Sequence, residues 1–321
     1  MFFALAAIGL ASCNGGFKKG EGGLLYNIHV DKGGPSIKEG DFISVNLIAK
    51  TDGDSVLFST YETGHPSLTL LPKPQFKGDI YAALKFLAEG DSATIKTSID
   101  STMKKGVPRP PFKGKYIIYE VKVEKVIAKG NLSDQVFAGR YGDYIKTLSE
   151  AAKKAEPVKI KKYIADNNLK VTQTASGLNY IITKQGSGIK PVPGDTVVVN
   201  YTVKLTSGKV LETSVRAEAQ KAKIPANPMS PYKPVRFAIG VKGMIKGWDE
   251  GMQLLNKGAT ATLILPSDLA YGGQGYQQIQ PFTPLVFDVE LVDVVPPNPN
   301  APKPAAPVMM PAQAQPQPVK K

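Results

Sequence analysis

Among the residues of this 321-residue chain that could take part in chemistry are a single tryptophan and a single cysteine. Only two histidines occur, His29 and His65, and neither has a cysteine or a carboxylate at the spacing of metal ligands. No glycine-rich loop opens a helix in the manner of a phosphate-binding loop. The sequence therefore predicts no metal site and no nucleotide site, and it offers no nucleophile paired with a base.

Four strings in the second half of the chain have a distinctive composition and spacing. They are residues 199–202 with Tyr201, 240–255 with the single tryptophan Trp248, 266–273 with Tyr271, and 284–291 with Phe287. In this order they resemble the signature of FKBP-type peptidyl-prolyl cis/trans isomerases, and the resemblance covers roughly residues 174–295. It implies rotation about an X-Pro peptide bond, a reaction without a nucleophile, metal or cofactor.

The resemblance also implies roles for individual residues. Trp248 would form the floor of a pocket for a prolyl ring, and the Tyr271 hydroxyl would donate to a substrate carbonyl. The Ile245 N–H would bond the peptide backbone. The expected catalytic residues are Tyr201, Glu212, Trp248 and Tyr271, and the expected substrate-binding residues are Leu211, Val235, Phe237, Met244, Ile245, Ile279 and Phe287.

Three features depart from the pattern of the family. Leu211-Glu212 stands where Phe-Asp is common, so the carboxylate lies one methylene further from the backbone. Val235 replaces a frequent aromatic residue, which shrinks one wall of the pocket. Tyr276 and Gln280 replace other frequent loop residues. These departures predict a modest turnover.

Alternating apolar residues predict the elements that position these side chains. Antiparallel strands are expected at 196–205, 210–213, 235–239, 259–265 and 285–294, and one short helix at about 244–254. A half-buried twisted sheet with a single helix across its concave face is an α+β arrangement, as in the FKBP family.

The first half of the chain repeats the second. With an offset of 154, residues 23–60 match residues 177–214 at 12 of 38 positions, and further along the chain the offset becomes 168. Two copies of one domain are therefore expected. The counterparts of Tyr201, Trp248 and Tyr271 in the first copy are Leu47, Ile80 and Met103. We therefore expect the first copy to be an FKBP-like domain that folds but has lost its catalytic groups.

The segment between the copies has apolar residues at helical spacing over 133–168. Pro157 is expected to end this helix, with a second, shorter helix at 158–166. The apolar face requires a partner, either one of the chain's own domains or a second copy in a homodimer.

The predicted segments are 1–22, a lipoprotein signal and tether; 23–129, a degenerate FKBP-like domain; 130–173, a helical linker; 174–295, the isomerase domain; and 296–321, a proline-rich disordered tail.

The N-terminal residues suggest an anchor. An apolar run at 2–10, too short to span a bilayer, leads into Leu10-Ala-Ser-Cys13, which resembles the bacterial lipobox. The resemblance implies lipidation of Cys13 and a lipid-anchored protein of the bacterial cell envelope, at the outer membrane facing the periplasm. The alternative is an apolar N-terminal strand that holds a buried cysteine.

The charge distribution and the family resemblance limit which partners are expected. The net charge of +13 is spread along the chain rather than concentrated, which argues against a nucleic-acid-binding groove. The first hypothesis is an isomerase that assists the folding of envelope or secreted proteins, with proline-containing polypeptides as clients. The alternative is a non-catalytic chaperone or protein-binding lipoprotein, or an accessory of a secretion or gliding machinery.

Overall fold

The computed structural model describes residues 16–102, 114–224, 232–241 and 243–297. The chain divides into two compact units, Met1–Lys146 and Thr147–Lys321. Each contains an antiparallel sheet and short helices, and the predicted α+β class is confirmed. Cys13, the apolar run before it, Met103 and the tail from residue 298 onward lie outside the described residues.

The first unit is built on one sheet. Its strands are β1 (Lys18–Lys19), β2 (Leu25–Val30), β3 (Phe42–Thr51), β4 (Val56–Ser59), β5 (Ser67–Leu70), β6 (Ser92–Ser98) and β7 (Tyr116–Ile127), and its short helices are α1 (Thr60–Thr63), α2 (Ile80–Leu84) and α3 (Ile99–Thr102). Within the described residues the strand order is β1-β2-β6-β7-β3-β4, and β5 pairs with β3 beside β4. A long helix, α4 (Asp134–Asp166), follows, and the boundary between the units falls within it.

The second unit has the same kind of sheet. Its strands are β8 (Thr172–Gln173), β9 (Asn179–Lys184), β10 (Thr196–Leu205), β11 (Val210–Thr213), β12 (Val235–Ala238), β13 (Thr260–Leu265) and β14 (Leu285–Val295), and its helices are α5 (Arg216–Lys221) and α6 (Lys246–Met252). The order is β8-β9-β13-β14-β10-β11, with β12 paired to β10. A 3₁₀ turn, Ser267–Leu269, precedes the long loop into β14.

The repeat extends to the pairing of individual strands. The order of the second sheet reproduces that of the first when each strand is replaced by its counterpart. The two central strands β3 and β10 even share a register irregularity, between Ser44 and Val45 in one and between Val198 and Val199 in the other. These positions differ by the offset of 154 that the sequence shows. The sequence repeat is therefore a repeat of topology and register.

Helix α4 packs by its apolar face on the units themselves. Near its start, Tyr141 stacks on Phe42 of the first sheet, with ring centroids 5.2 Å apart. Near its end, Ile160 packs with Ile264 and Val286 of the second sheet. The chain's own domains are therefore partners of this face.

The expectation that Pro157 ends the helix is wrong, because α4 continues through it to Asp166. Proline removes one backbone hydrogen bond and crowds the carbonyl four residues earlier, at a cost of about 3 kcal/mol. Burial on either side offsets this cost, since Ala152, Glu156 and Ile160 form a buried row at intervals of four residues. The predicted shorter helix is the last part of α4.

The core of the second unit explains why the strands were recognisable. Residues at every second position of β10, β13 and β14 face the same interior, for example Leu263 and Leu265 on β13 and Leu285 and Phe287 on β14. The five predicted strands agree with β10 to β14 to within one residue at each end, whereas β8 and β9 were not predicted. The predicted helix at 244–254 is α6, shorter at both ends. Helix α5 was not among the predicted elements. Among the described helices, none combines the length and apolar character that a bilayer-spanning segment requires.

Two glycines let α6 lie close to the sheet. A Cβ on Gly247 would lie 2.3 Å from Leu265 Cδ2, and one on Gly251 would lie 2.6 Å from Leu263 Cδ1. The two glycines are four residues apart, so they share one face of the helix. Both leucines are fully buried and have no free space to move into. The side chain of Trp248, next to Gly247, is thereby set directly against the sheet.

Gly247→Ala is therefore expected to destabilise the second unit. Overpacking should lower its free energy of unfolding by about 1–2 kcal/mol, even though alanine favours a helix. The measurement is urea denaturation followed by the emission of the single tryptophan. Gly139→Ala on α4, where nothing lies within 4 Å, is the control, and circular dichroism should show no loss of stability. A Gly247→Ala protein as stable as the wild type would contradict this close packing.

Candidate active site

The centre of the site is the indole of Trp248, which α6 holds against three strands. Its ring centroid lies 5.3 Å from that of Tyr201 and 5.4 Å from that of Phe287, both in edge-on geometry. Phe237 lies 5.3 Å away on a third strand, with its ring tilted. Edge-to-face contacts of this kind add stabilisation beyond burial alone, so the four rings hold one another in place. Only 2% of Trp248 is exposed.

A cleft of about 560 Å³ opens beside this indole. Its lining combines side chains from the sheet, from the start of α6 and from the loop before β14. The residues predicted from the sequence that line it are Tyr201, Leu211, Glu212, Val235, Met244, Ile245, Trp248, Tyr271, Ile279 and Phe287. Phe237 does not line the cleft and instead supports Trp248 from the side. The structure therefore brings together ten of the eleven positions.

Several lining residues were missed by sequence reasoning. Val203 follows Tyr201 by two residues on β10, and Leu285 precedes Phe287 by two residues on β14. The alternation of a strand could therefore have identified both residues. The other missed positions are Gly243, Lys246, Ala270, Tyr276, Gln277 and Gln278. They lie in loops and at a helix start, where no periodicity signals which side chains face inward.

At one side of the cleft, the Tyr201 hydroxyl donates to Glu212 Oε1 at 2.8 Å. The longer side chain of glutamate therefore still reaches the phenol from its exposed strand position. Burial raises the pKa of Tyr201 well above its ordinary value, and the negative charge of Glu212 raises it further. The phenol remains protonated and serves as a hydrogen-bond donor.

On the opposite side, a compact loop presents Tyr271. Its ring stacks on Tyr276, with centroids 5.1 Å apart and planes 11° from parallel. Tyr276 and Ile279 exchange two backbone hydrogen bonds of 2.8 Å, which folds the loop tightly. Burial raises the pKa of Tyr271, and Tyr276 and Glu212 raise it further. Tyr271 therefore keeps its proton and can donate to a bound group.

The start of α6 supplies a backbone donor. Ile245 is the N-cap residue in an extended conformation, and its carbonyl accepts from the Trp248 N–H at 3.0 Å. Within the described part of the chain, the N–H of Ile245 has no hydrogen-bond acceptor. Since Ile245 lines the cleft, this group is a possible contact for a peptide carbonyl.

The first unit has the same strand order but lacks the aromatic and carboxylate side chains of the site at the equivalent positions. Leu47 and Ile80, the counterparts of Tyr201 and Trp248, pack on the core of that unit as aliphatic side chains. Phe58, at the position of Glu212, is exposed and apolar. Among the described residues of the whole chain, no cluster of histidine, cysteine and carboxylate side chains is arranged to hold a metal ion.

Comparison with known proteins identifies the second unit. A family model described as FKBP-type peptidyl-prolyl cis-trans isomerase matches residues 187–292. The FKBP-type peptidyl-prolyl cis-trans isomerase FkpA of Escherichia coli O6:H1 is 30% identical over 250 residues, which cover 73% of this chain and 83% of that protein. This chain belongs to the FKBP-type peptidyl-prolyl cis-trans isomerases.

Other relatives are similar over shorter stretches. A probable FKBP-type peptidyl-prolyl cis-trans isomerase FkpA of Neisseria meningitidis serogroup B is 40% identical over 156 residues, covering 48% of this chain and 51% of that protein. The crystal structure of FkpA from Escherichia coli is 32% identical, with a TM-score of 0.41, and covers 52% of this chain and 76% of that chain. Membership of this family shows that the chain is an enzyme. The alternative of a non-catalytic binding protein is not favoured.

The two tyrosines predict how the enzyme responds to alkaline pH. Their pKa values are raised in the folded protein, whereas tyrosines of the unfolded chain titrate near about pH 10. Above that pH the unfolded state holds fewer protons than the folded state, so the free energy of unfolding falls as the pH rises. Below it the contribution of both groups is fully present.

Tyr201→Phe should therefore lose less stability than the wild type between about pH 9.5 and 11.5. Urea denaturation at a series of pH values, followed by Trp248 emission, measures this difference. Superimposable pH profiles for the two proteins would show that the phenol does not titrate as its buried position requires.

Proposed function

We propose that the cleft of the second unit rotates the X-Pro bonds of polypeptide clients in the bacterial envelope. The observation that carries this proposal is the placement of a protonated tyrosine hydroxyl, that of Tyr271, in the same cleft as the buried indole of Trp248. Trp248 receives the prolyl ring, and the hydroxyl bonds a substrate carbonyl. Both roles follow the resemblance to the family and agree with the geometry.

The barrier to be lowered is that of amide resonance, about 20 kcal/mol. A planar prolyl amide is strongly polarised, whereas the twisted amide has lost resonance and is less polar. Water favours the planar state, so transfer of the bond into an apolar cleft reduces the cost of twisting. Phe287, Leu285 and Val203 supply such an environment around the indole. Rotation then needs no covalent intermediate.

Fixed donors complement the apolar walls. Tyr271 and the Ile245 N–H would hold the flanking carbonyls of the peptide while the bond between them rotates. Groups that are already in place when the geometry twists stabilise the transition state without reorganising. Glu212 acts by holding the Tyr201 phenol, and its charge stays at the exposed rim, outside the apolar interior. The small Val235 leaves room beside the ring and contributes no aromatic contact.

The first unit is proposed to be a non-catalytic copy. Leu47 and Ile80 retain the packing function of their counterparts and lack any hydroxyl or aromatic platform. The predicted domain limits, 23–129 and 174–295, and the proline-rich tail from 296 remain part of this proposal. Tyr141 and Ile160 of α4 contact their own units, whereas Val136, Ile145 and Val158 of the same helix are exposed, so a homodimer remains part of the proposal.

Tyr271→Phe tests the proposed donor. Loss of one hydrogen bond to the substrate should lower kcat/KM for a proline-containing peptide by about tenfold, with the melting temperature little changed. The measurement is a coupled prolyl-isomerisation assay on the full chain. Tyr180→Phe is the matched control, because it removes one hydroxyl from the same unit outside the cleft. Equal activities of the two variants would refute the role of Tyr271.

Attachment through Cys13 is proposed from the lipobox-like string. A diacylated cysteine carries two acyl chains, which suffice for stable anchoring. The wild-type protein expressed in a Gram-negative host should therefore require detergent for extraction from membranes. Cys13→Ser should appear in the soluble fraction, whereas Ser12→Ala, which keeps a small residue before the cysteine, should remain bound. A Cys13→Ser protein that still needs detergent would argue for another mode of attachment.

A further inference from the structure

Helix α4 carries a buried carboxylate that the proposed reaction does not use. Glu156 is only 8% exposed and lies within the second unit. It precedes the residues 187–292 that the family model matches. Burial of a charged side chain is costly unless hydrogen bonds compensate it. Helix–sheet packing alone does not require such a group, since Ile160, one turn later, makes apolar contacts with the same sheet.

Both oxygens of this carboxylate bond a single residue, Ser267. The Ser267 backbone N–H donates to Glu156 Oε1, and the Ser267 hydroxyl donates to Oε2 at 2.8 Å. Ser267 is itself only 1% exposed, so both bonds are shielded from water. Hydrogen bonds to a charged acceptor in such a place are strong and directional.

Ser267 in turn holds the backbone on both sides of Tyr271. Its carbonyl accepts from the Ala270 N–H at 2.8 Å and from the Gly272 N–H, also at 2.8 Å. The path from the helix to the peptide units that flank Tyr271 therefore has only two hydrogen-bonded steps. A shift of Ser267 would move the two amides next to the proposed catalytic residue.

A second contact from α4 reaches the far end of the same loop. The Lys153 ammonium lies 5.8 Å from the ring centroid of Phe282. The Phe282 N–H donates to the Gly272 carbonyl at 3.0 Å, so this end of the loop also meets the residue after Tyr271. Lys153 precedes Glu156 by three residues and therefore projects from the same side of the helix.

We infer that Glu156 is a positioning residue for the isomerase: through Ser267 it holds the loop that carries Tyr271. The inference rests on the proposed role of Tyr271 in the cleft. It assigns to α4, a helix outside the matched family region, a direct part in the geometry of the active site. The contact at Lys153 has a supporting role, because an ammonium over a ring constrains position less than two hydrogen bonds do.

The first measurement is hydrogen exchange of the full chain. In Glu156→Ala the amides of Ala270 and Gly272 should exchange about tenfold faster than in the wild type, because their acceptor has lost its own support. Glu150→Ala, an exposed glutamate on the same helix, is the matched control and should leave this loop unchanged. Unchanged exchange in Glu156→Ala would overturn the inference whatever the catalytic rate.

The second measurement is a double-mutant cycle on kcat/KM for a proline-containing peptide. Glu156→Ala should lower kcat/KM by about tenfold in the wild type, since small misplacements of a binding group are costly. In the Tyr271→Phe background the same substitution should lower kcat/KM by less than about twofold. Equal losses in both backgrounds would indicate a general structural role and would overturn the inference.

Glu156→Gln covers the case in which the alanine variant fails to fold. Its amide oxygen can still accept from Ser267, so an intermediate loss of about threefold is expected. The inference would also be overturned if Glu156→Gln and Ser267→Ala both had full activity and both had the amide hydrogen exchange of the wild type. A Tyr271→Phe protein with full activity would instead refute the proposed role of Tyr271, an outcome recognisable without any change at Glu156.

Discussion

The close approach of α6 to its sheet is the constraint on which the site depends. Gly247 and Gly251 remove the side chains that would hold the helix away from Leu265 and Leu263. The indole of Trp248 can therefore lie against rings from three strands and still face the cleft. The proposed role of Trp248 as a platform for a prolyl ring requires this rigidity, since such a ring offers shape and little polarity for recognition.

Beside that platform, two half-buried tyrosine hydroxyls supply hydrogen-bond donors. Tyr201 and Tyr271 keep their protons because burial disfavours the phenolate, and the Glu212 carboxylate stays at the exposed strand position. The interior thus offers hydrogen bonds without introducing a charge. For a reaction in which the bond becomes less polar as it twists, this distribution favours the transition state over the planar ground state.

Comparison of the two units shows which features the fold requires and which the site requires. Both have one strand order and the same register irregularity in the central strand, yet the first has Leu47 and Ile80 where the second has Tyr201 and Trp248. Aliphatic residues fill the same interior, so the sheet survives without the aromatic cluster. In the second unit α4 adds a further layer, because Glu156 links the helix to the loop of Tyr271.

The sequence predicted strands β10 to β14 and the repeat, because alternation and spacing are local properties of the chain that a β-sheet expresses directly, and through its resemblance to the FKBP family it implied ten of the residues that line the cleft. It did not determine that α4 runs through Pro157, that Phe237 supports Trp248 from outside the cleft, or that Glu156 is buried against Ser267. Those outcomes depend on which surfaces meet. A buried pair such as Glu156 and Ser267 joins residues 111 positions apart, and only tertiary packing decides whether a charged side chain finds such a partner or stays in water.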